Sequence, residues 1–287
     1  MNATLTIPSV TLANGVEMPA IGYGVFRMED GDVCERAVLN ALDAGYRFID
    51  TATAYRNEKA VGRALARSGI PREELFVSTK LQTKSTCYEL AREAFERSLD
   101  DLGLEYVDLY FIHQPYNDVF GAWRALAELM AEGRIRALGV DNFTESRLVD
   151  FLTFNNPKPV ANFVEVNPGC QQVSSVPFML ARSVQPLAWS PLGAGNADIL
   201  GNPVLAEIGA AHGKSVAQIA LRWLVQRSVV PVVKSANPVR MREDLDIFDF
   251  ELSTDEMAAF APFDTGVSAA ARTSGPELEA FLAKALA

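Results

Sequence analysis

The chain reads RFID at residues 47–50, LFVSTK at residues 75–80 and VDLYFIH at residues 107–113. Each run is apolar and rich in aromatic or β-branched residues, which is typical of a strand that is buried in a parallel sheet. The runs end in Asp50, Lys80 and His113. Because the carboxyl ends of the strands of a closed barrel open on one face, we expect these side chains to share a cleft with Tyr55.

The same pattern of a short strand followed by an amphipathic helix recurs along the chain. We predict eight strands, at residues 21–26, 48–51, 75–81, 107–113, 135–140, 162–167, 185–190 and 229–233. We predict helices near residues 32–44, 58–68, 86–102, 119–131, 144–154, 173–182, 204–211, 216–226 and 240–245. Eight alternating units favour an α/β fold of the (β/α)8 (TIM) barrel type over an open doubly wound sheet. The sequence Gly22-Tyr23-Gly24 is too short to be a dinucleotide fingerprint.

Two further segments flank the repeat. Residues 11–18 place an Asn-Gly pair between two strand-like pieces, which predicts an N-terminal β-hairpin with a type I′ turn that plugs the barrel. We also predict a helix at residues 254–261 and a short C-terminal helical tail at residues 276–287, which would form a lid or a flank. No linker divides the 287 residues, so we expect one barrel domain over residues 1–287.

Composition restricts the partners and the compartment. A net charge of -10 disfavours binding to nucleic acid or to an anionic membrane, because phosphates require a positive face. The three scattered cysteines form neither a disulfide framework nor a metal-ligand cluster. No apolar run approaches the ~20 residues that span a bilayer, and the N-terminus does not resemble a signal peptide. We therefore expect a soluble, cytoplasmic protein.

Tyr55 follows Asp50 by five residues, so it lies in the loop beyond the strand, where it can reach a bound ligand. An ammonium at ~4 Å stabilises a phenolate by about 4 kcal/mol at an effective dielectric near 20, although Asp50 would share the charge of Lys80. We therefore expect Lys80 to lower the pKa of Tyr55. The assigned roles are Tyr55 as general acid, Lys80 as its tuner, Asp50 as the partner of Lys80, and His113 as the donor that orients a carbonyl oxygen.

A carbonyl polarised in this way can accept hydride, which no side chain can give, so a nicotinamide cofactor is implied. Two other chemistries stay open. Metal-assisted chemistry would have few ligands, because His212 lies in a predicted helix-loop region and His113 alone ends a strand; we predict no metal site. Lys80 could instead form a Schiff base, as in a barrel aldolase, but that role leaves Tyr55 without a function.

Five segments resemble the aldo-keto reductase family: FIDTATAYRNE at residues 48–58, STKL at 78–81, IHQP at 112–115, GVDNF at 139–143 and VVKS at 232–235. The resemblance covers nearly the whole chain. It implies a (β/α)8 barrel with an N-terminal hairpin that reduces aldehydes or ketones with NADPH. Asp50, Tyr55, Lys80 and His113 match the catalytic tetrad of the family. The short loops and the sequence Gln114-Pro115-Tyr116 look most like the bacterial branch that includes diketogluconate reductases.

The resemblance also implies a set of residues that bind NADPH or NADP+: Asp141, Asn142, Trp189, Ser190, Leu192, Lys234, Ser235, Arg240 and Asp244. Among these, Trp189 takes the place of the aromatic residue that stacks on the nicotinamide, and Ser190 and Leu192 fit the pyrophosphate loop.

The opposite end of the cofactor is expected near the last strand. Lys234, Ser235 and Arg240 match family positions that hold the 2′-phosphate, and a fork-shaped Arg beside a Lys suits a dianion. The alternative is a solvated basic pair at a helix start. Asp244 stands where an Asn usually meets the adenine.

Two positions depart from the family pattern, in which Ser-Asn ends the fifth strand and a Gln in the sixth helps them grip the nicotinamide carboxamide. The corresponding residues are Asp141, Asn142 and Phe163. Asp141 can still accept a hydrogen bond from the carboxamide, whereas Phe163 offers no conventional partner. We predict weakened or re-angled nicotinamide binding, and a preference for NADP+ over NADPH because of the negative charge of Asp141.

The substrate side also differs from that of aromatic-lined relatives. Gln82 and Gln114 stand where many relatives carry Trp, while Phe26, Tyr55 and Tyr116 are kept. Small polar carbonyls, dicarbonyls and keto sugars are therefore favoured as substrates. Bulky steroids are disfavoured, because the C-terminal tail is too short for an extensive closing loop.

The sequence thus predicts a monomeric, NADPH-dependent carbonyl reductase that takes a small-molecule substrate. The alternative is a nicotinamide-nucleotide sensor or binding subunit with little turnover. The physiological substrate and the direction of flux are not determined by the sequence.

Overall fold

A computed structural model describes residues 7–29, 31–268 and 275–286. Within them the strands are β1 Ser9–Thr11, β2 Glu17–Pro19, β3 Gly22–Gly24, β4 Phe48–Asp50, β5 Phe76–Leu81, β6 Val107–Ile112, β7 Ile135–Asp141, β8 Ala161–Glu165, β9 Gln185–Trp189 and β10 Val230–Val233. The helices are α1 Gly31–Ala44, α2 Glu58–Arg67, α3 Tyr88–Leu102, α4 Val119–Ala131, α5 Glu145–Phe154, α6 Ser175–Leu180, α7 Ala197–Leu200, α8 Pro203–His212, α9 Val216–Gln226, α10 Pro238–Leu245, α11 Thr254–Ala258 and α12 Gly275–Leu286.

Strands β3 to β10 form a closed barrel in which neighbouring strands are parallel and β10 pairs with β3. The predicted (β/α)8 barrel is therefore confirmed, and each barrel strand lies at the predicted place in the chain. The register places Asp50 of β4 beside Ser78 of β5, and Asp141 of β7 beside Phe163 of β8. Since all these strands run the same way, their carboxyl ends form one rim.

The barrel interior is filled by alternate residues of each strand, as the period of two requires. Phe48, Leu109, Phe111 and Phe163 belong to one buried apolar cluster, which also contains Leu12 and Met18 from the ends of the hairpin. The hairpin therefore covers the barrel core, as predicted. The same alternation aims Asp50, Lys80 and Asp141 inward at the opposite rim.

The turn of the hairpin differs from the expected type. A type I′ turn needs positive φ at both central residues, but of Asn14 and Gly15 only the glycine is left-handed, with φ 85°. The hydrogen bonds from the Leu12 N–H to the Val16 oxygen at 2.9 Å and from the Gly15 N–H to the Leu12 oxygen at 2.8 Å enclose a longer loop. A turn followed by a left-handed glycine matches the strand twist in a loop of this length. The type I′ prediction is wrong.

The helices follow the prediction, with two differences. Helix α7 was not expected; it is one turn long and begins where the Asn196 side chain accepts a hydrogen bond from the Asp198 N–H at 2.9 Å. The helix predicted at residues 254–261 is shorter, and a 3-10 turn follows it at Ala261–Phe263. The C-terminal tail is helical as α12 and packs near the 3-10 turn Thr83–Ser85 at the rim; residue 287 lies outside the described residues. No helix of the described residues is long and apolar enough to cross a bilayer.

Candidate active site

Lys80, the charged residue of β5, is fully buried at the rim and is held by acceptors from the neighbouring strand end. Its Nζ donates to both carboxylate oxygens of Asp50 at 2.6 Å and to the Thr51 carbonyl oxygen at 2.9 Å. The Ser78 hydroxyl donates to Asp50 Oδ1 at 2.6 Å. This is a buried, hydrogen-bonded ion pair, and such a pair requires good geometry to offset the loss of hydration.

Tyr55 ends a 3-10 turn, Thr53–Tyr55, that directly follows β4. The centroid of its ring lies 5.3 Å from Lys80 Nζ and 5.8 Å from the centroid of the His113 ring, which it meets edge to face at 78°. The Phe26 ring also packs against the Tyr55 ring, with 5.0 Å between the two ring centroids. The structure therefore brings together Asp50, Tyr55, Lys80 and His113, as the sequence predicts.

The expected lowering of the Tyr55 pKa is not found. Burial raises the pKa of Tyr55 well above its ordinary value of 10, and the carboxylates of Asp50 and Asp141 raise it further. The prediction is wrong chiefly because burial disfavours the charged phenolate; in addition, Lys80 is paired with Asp50, and Asp141 adds a second nearby acid. At neutral pH Tyr55 is consequently a protonated phenol that can donate.

His113 follows β6, and its imidazole is kept neutral by its surroundings. Burial and the nearby Lys80 ammonium lower the pKa of His113 to about 3. A neutral imidazole carries one N–H donor, so His113 can donate a hydrogen bond without bringing a second positive charge beside Lys80.

A chain of polar side chains links the ends of β9, β7 and β6. Trp189 Nε1 donates to Asn142 Oδ1 at 3.0 Å, and Asn142 Nδ2 donates to Asp141 Oδ1 at 2.5 Å. The other oxygen of Asp141, Oδ2, lies 3.9 Å from His113 Nε2. Asn142 adopts a left-handed backbone with φ 62°, a conformation that Asn tolerates better than most residues. Asp141 therefore belongs to the same cluster as the four residues above.

Phe163, the register partner of Asp141, points into the barrel beneath this cluster. Its ring centroid lies 4.9 Å from Lys80 Nζ and 5.8 Å from the centroid of Phe111. An ammonium at this distance is attracted to the face of an aromatic ring. Phe163 thus supports Lys80 by a cation–π contact.

Comparison with known proteins identifies the family. Residues 20–264 match the model of the "Aldo/keto reductase family". The chain belongs to this family.

The relatives of this aldo/keto reductase are named for both directions of carbonyl chemistry. A glyoxal reductase of Bacillus subtilis is 45% identical over 250 residues, covering 87% of this chain and 90% of the relative. A morphine 6-dehydrogenase of Pseudomonas putida is 40% identical over 274 residues, covering 91% of this chain and 92% of the relative. The crystal structure of a Bombyx mori aldo-keto reductase in complex with NADP superimposes with a TM-score of 0.89 at 31% identity, covering 94% of this chain and 97% of that one.

At the end of β10 the reductase presents two exposed cations. Lys234 and Arg240 are exposed, and neither forms an ion pair with a described residue. Between them, Ser235 Oγ accepts from the Asn237 N–H at 3.1 Å and lies 3.5 Å from Arg240 Nε. The carbonyl of Ser235 is fixed by the Tyr23 hydroxyl at 2.5 Å. Lys234, Ser235 and Arg240 are thus grouped at the start of α10, where helix N–H groups also favour an anion.

Asp244 is a buried residue of α10. Burial raises its pKa to about 7; Glu243 raises it too, and Arg240 opposes them.

The loop after β9 holds the two remaining predicted cofactor residues. Ser190 is left-handed with φ 49°, its carbonyl accepts from the Gly193 N–H at 2.8 Å, and Leu192 is half-buried.

The predicted substrate residues lie at the same rim. Phe26 is 53% exposed while its ring contacts Tyr55, so it forms part of the mouth. Gln82 directly follows β5 and Gln114 follows His113, and both are half-buried. In the described part of the chain, no three His, Cys, Asp or Glu side chains are arranged to hold a metal ion.

Sequence reasoning missed the groups that fix the cluster. Ser78 and the carbonyl of Thr51 complete the environment of Asp50 and Lys80. The strand period could have revealed Ser78, because it precedes Lys80 by two residues and so shares its face. The link between Asn142 and Trp189 joins strands that are distant in sequence, and no local pattern indicates it.

Proposed function

We propose that the protein reduces small polar aldehydes and ketones, including dicarbonyls and keto sugars, to alcohols with NADPH. The observation that carries this proposal is the cluster at the barrel rim: a protonated Tyr55 between the Lys80–Asp50 pair and the neutral His113. The glyoxal reductase of Bacillus subtilis supports the substrate class, and the Bombyx mori complex supports the cofactor.

The described residues fit NADPH. Lys234 and Arg240 are exposed cations that form no ion pair with a described residue, which suits a 2′-phosphate dianion. Ser235 would bind beside them, with Asp244 toward the adenine. Ser190 and Leu192 would line the pyrophosphate.

The nicotinamide end of the cofactor would contact Asp141, Asn142 and Trp189, which are already linked by hydrogen bonds. When bound, the cofactor supplies the hydride that no side chain can give.

Each residue of the cluster has one task in proton transfer. The Tyr55 hydroxyl donates its proton to the carbonyl oxygen as negative charge develops there, and its raised pKa ensures that the proton is present at neutral pH. Lys80 stabilises the resulting phenolate, because its ammonium lies 5.3 Å from the ring centroid. Asp50 holds Lys80 in position. His113 donates a hydrogen bond that orients the carbonyl oxygen.

A second candidate is a nicotinamide-nucleotide sensor with little turnover. It is favoured by one observation: Asp141 and Phe163 replace the polar groups expected around the carboxamide. Steady-state oxidation of NADPH with a panel of small aldehydes and dicarbonyls separates the two functions. Turnover with any of them supports the reductase, whereas tight NADPH binding without turnover supports the sensor.

The acid assignment is tested with Tyr55→Phe. We expect kcat to fall by about a thousandfold, within the range that general acids contribute, while the Kd of NADPH changes less than about twofold, because the hydroxyl makes no contact that positions the phosphate groups. The matched control is Tyr106→Phe, which removes a phenol next to Arg72 at the opposite end of the barrel. Near wild-type turnover in Tyr55→Phe would remove Tyr55 as the acid.

A further inference from the structure

Asp141 is a buried acid without a cation of its own. Both carboxylate oxygens of Asp50 take up the ammonium of Lys80, at 2.6 Å each. Among the described residues, no lysine or arginine nitrogen lies within 4.0 Å of Asp141, and its one charged-type neighbour is His113 Nε2 at 3.9 Å. A buried carboxylate without a counterion is costly, so it either takes up a proton or pairs with a cation that a ligand brings.

The groups around Asp141 do not supply that cation. The titratable and charged groups that face it from the neighbouring strands and loops are Asp50, Tyr55, Lys80, His113 and Glu165. Tyr55 and His113 are neutral at pH 7 for the reasons given above, and Glu165 accepts from Asn167 Nδ2 at 3.1 Å. Lys80 attracts a charge on Asp141 and Asp50 repels it more weakly, but the ammonium of Lys80 is hydrogen-bonded to Asp50 and lies more than 4.0 Å from the carboxylate of Asp141.

The position of Asp141 is also fixed. Its Oδ1 accepts from Asn142, whose own amide oxygen is held by Trp189. The carboxylate therefore cannot swing away to solvent without breaking this chain. Its other oxygen, Oδ2, lies 3.9 Å from Nε2 of His113, the residue to which the proposed function assigns the substrate carbonyl.

We propose that Asp141 is the residue by which this enzyme distinguishes oxidised from reduced nicotinamide, its carboxylate forming an ion pair with the positively charged ring of NADP+ and none with the neutral ring of NADPH. The inference rests on the proposed use of NADP(H). Each of the two buried carboxylates would then have one cationic partner in the NADP+ complex: Lys80 for Asp50, and the nicotinamide ring for Asp141.

This pairing links cofactor binding to pH. Burial raises the pKa of Asp141 well above its ordinary value of 3.8, so in the free enzyme Asp141 keeps its proton to a higher pH than an exposed aspartate does. NADP+ favours the ionised form and expels that proton, and its Kd therefore falls as pH rises. The Kd of NADPH should not fall in this way, because its neutral ring forms no ion pair with Asp141. Titration of the 2′-phosphate or of Asp244 affects both cofactors alike, so the ratio of the two Kd values isolates Asp141.

The test measures Kd for NADP+ and NADPH by isothermal titration calorimetry from pH 5 to pH 9, in two buffers that differ in ionisation enthalpy. For the wild type we expect the ratio of Kd for NADPH to Kd for NADP+ to rise with pH, by up to about tenfold per pH unit, with proton release on NADP+ binding. In Asp141→Asn, which keeps the acceptor for Asn142, we expect a ratio independent of pH and about tenfold lower at pH 8.

Two further proteins complete the experiment. Glu73→Gln removes one exposed acid at the opposite end of the barrel and should behave as the wild type. Asp141→Ser repeats the test with a smaller side chain, and proton release by the wild type needs no variant at all. The inference is overturned if Asp141→Asn keeps the wild-type ratio, or if the wild-type ratio does not change with pH while both cofactors bind. Failure of both cofactors to bind would instead overturn the proposed function itself.

Discussion

The two ends of the proposed cofactor and substrate site differ in how far their charges are already paired. Lys80 is fully buried and donates to three oxygens at 2.6 to 2.9 Å. Lys234 and Arg240 are exposed, and the described residues offer them no carboxylate. The pairing of Lys80 is therefore formed before any ligand binds. The positive charges of Lys234 and Arg240 remain available to an anionic ligand. Under the proposed function, we therefore expect turnover to depend on the buried end and cofactor affinity to depend on the open end.

The largest effect is expected from breaking the buried pair with Lys80→Met. Turnover should fall by about a thousandfold or more, because the phenolate of Tyr55 loses the ammonium that stabilises it. Removing one partner also leaves Asp50 buried without a cation, at a cost of about 3 to 5 kcal/mol in the free energy of unfolding. Steady-state assays and urea unfolding at pH 7 measure the two effects.

A double variant separates these two roles of Lys80. In Lys80→Met with Asp50→Asn, the uncompensated charge is gone, so we expect most of the stability to return while turnover stays low. If the double variant recovers turnover, Lys80 serves only to neutralise Asp50. If Lys80→Met alone is as stable as the wild type, the Lys80–Asp50 ion pair does not stabilise the fold, and the proposed difference between the two ends is wrong.

An intermediate effect is expected at the open end from Arg240→Ala. If Arg240 binds the 2′-phosphate as proposed, loss of its guanidinium should raise the Kd of NADPH by about ten- to a hundredfold, since hydrogen bonds between ions are strong. The Kd of NADH, which lacks that phosphate, should stay the same, and so should kcat at saturating NADPH. Fluorescence titration with both cofactors measures this.

The control for Arg240→Ala is Arg242→Ala, which removes an exposed arginine from the same helix. Equal losses of affinity for NADPH and NADH in Arg240→Ala would show that Arg240 acts on the fold of α10 and not on the phosphate. That result would remove the contrast between the buried end, where Lys80 is already paired, and the open end, where Arg240 is proposed to pair with the cofactor.

Much of the buried end could be predicted from sequence because it depends on local pattern. The apolar runs before Asp50, Lys80 and His113 define strands, and parallel strands in a barrel bring their ends to one rim. The direction of the Tyr55 pKa could not be predicted in this way. It is a sum over burial, Asp50 and Asp141, and Asp141 arrives from a strand far along the chain.

Short local features limited the prediction elsewhere. The Asn-Gly pair indicates a turn, but the pairing of Thr11 with Glu17 sets the loop length and hence the turn type. Helix α7 has four residues, too few to show a helical period. The sequence shows that Phe163 stands where the family has Gln. Its contact with Lys80 could not be predicted, because that contact depends on the register of the barrel strands.

The smallest effect is expected from Asp244→Asn, at the open end but within its buried part. The pKa of Asp244 is about 7 in the folded protein, above its ordinary value of 3.8. Near pH 4 the folded state of the wild type is protonated there and the unfolded chain has only begun to ionise, so the variant gains little. Between pH 4 and pH 7 the unfolded chain releases this proton first, and the wild type loses stability. We therefore expect Asp244→Asn to be more stable than the wild type by about 4 kcal/mol at pH 8 and by less than about 1 kcal/mol at pH 4, in urea unfolding. Glu243→Gln, at an exposed neighbour in the same helix, keeps Asp244 in place and serves as the control. If the difference in free energy of unfolding between Asp244→Asn and the wild type is the same at pH 4 and pH 8, Asp244 does not titrate in this range. Its charge would then be as constant as the charges of Lys80 and Asp50.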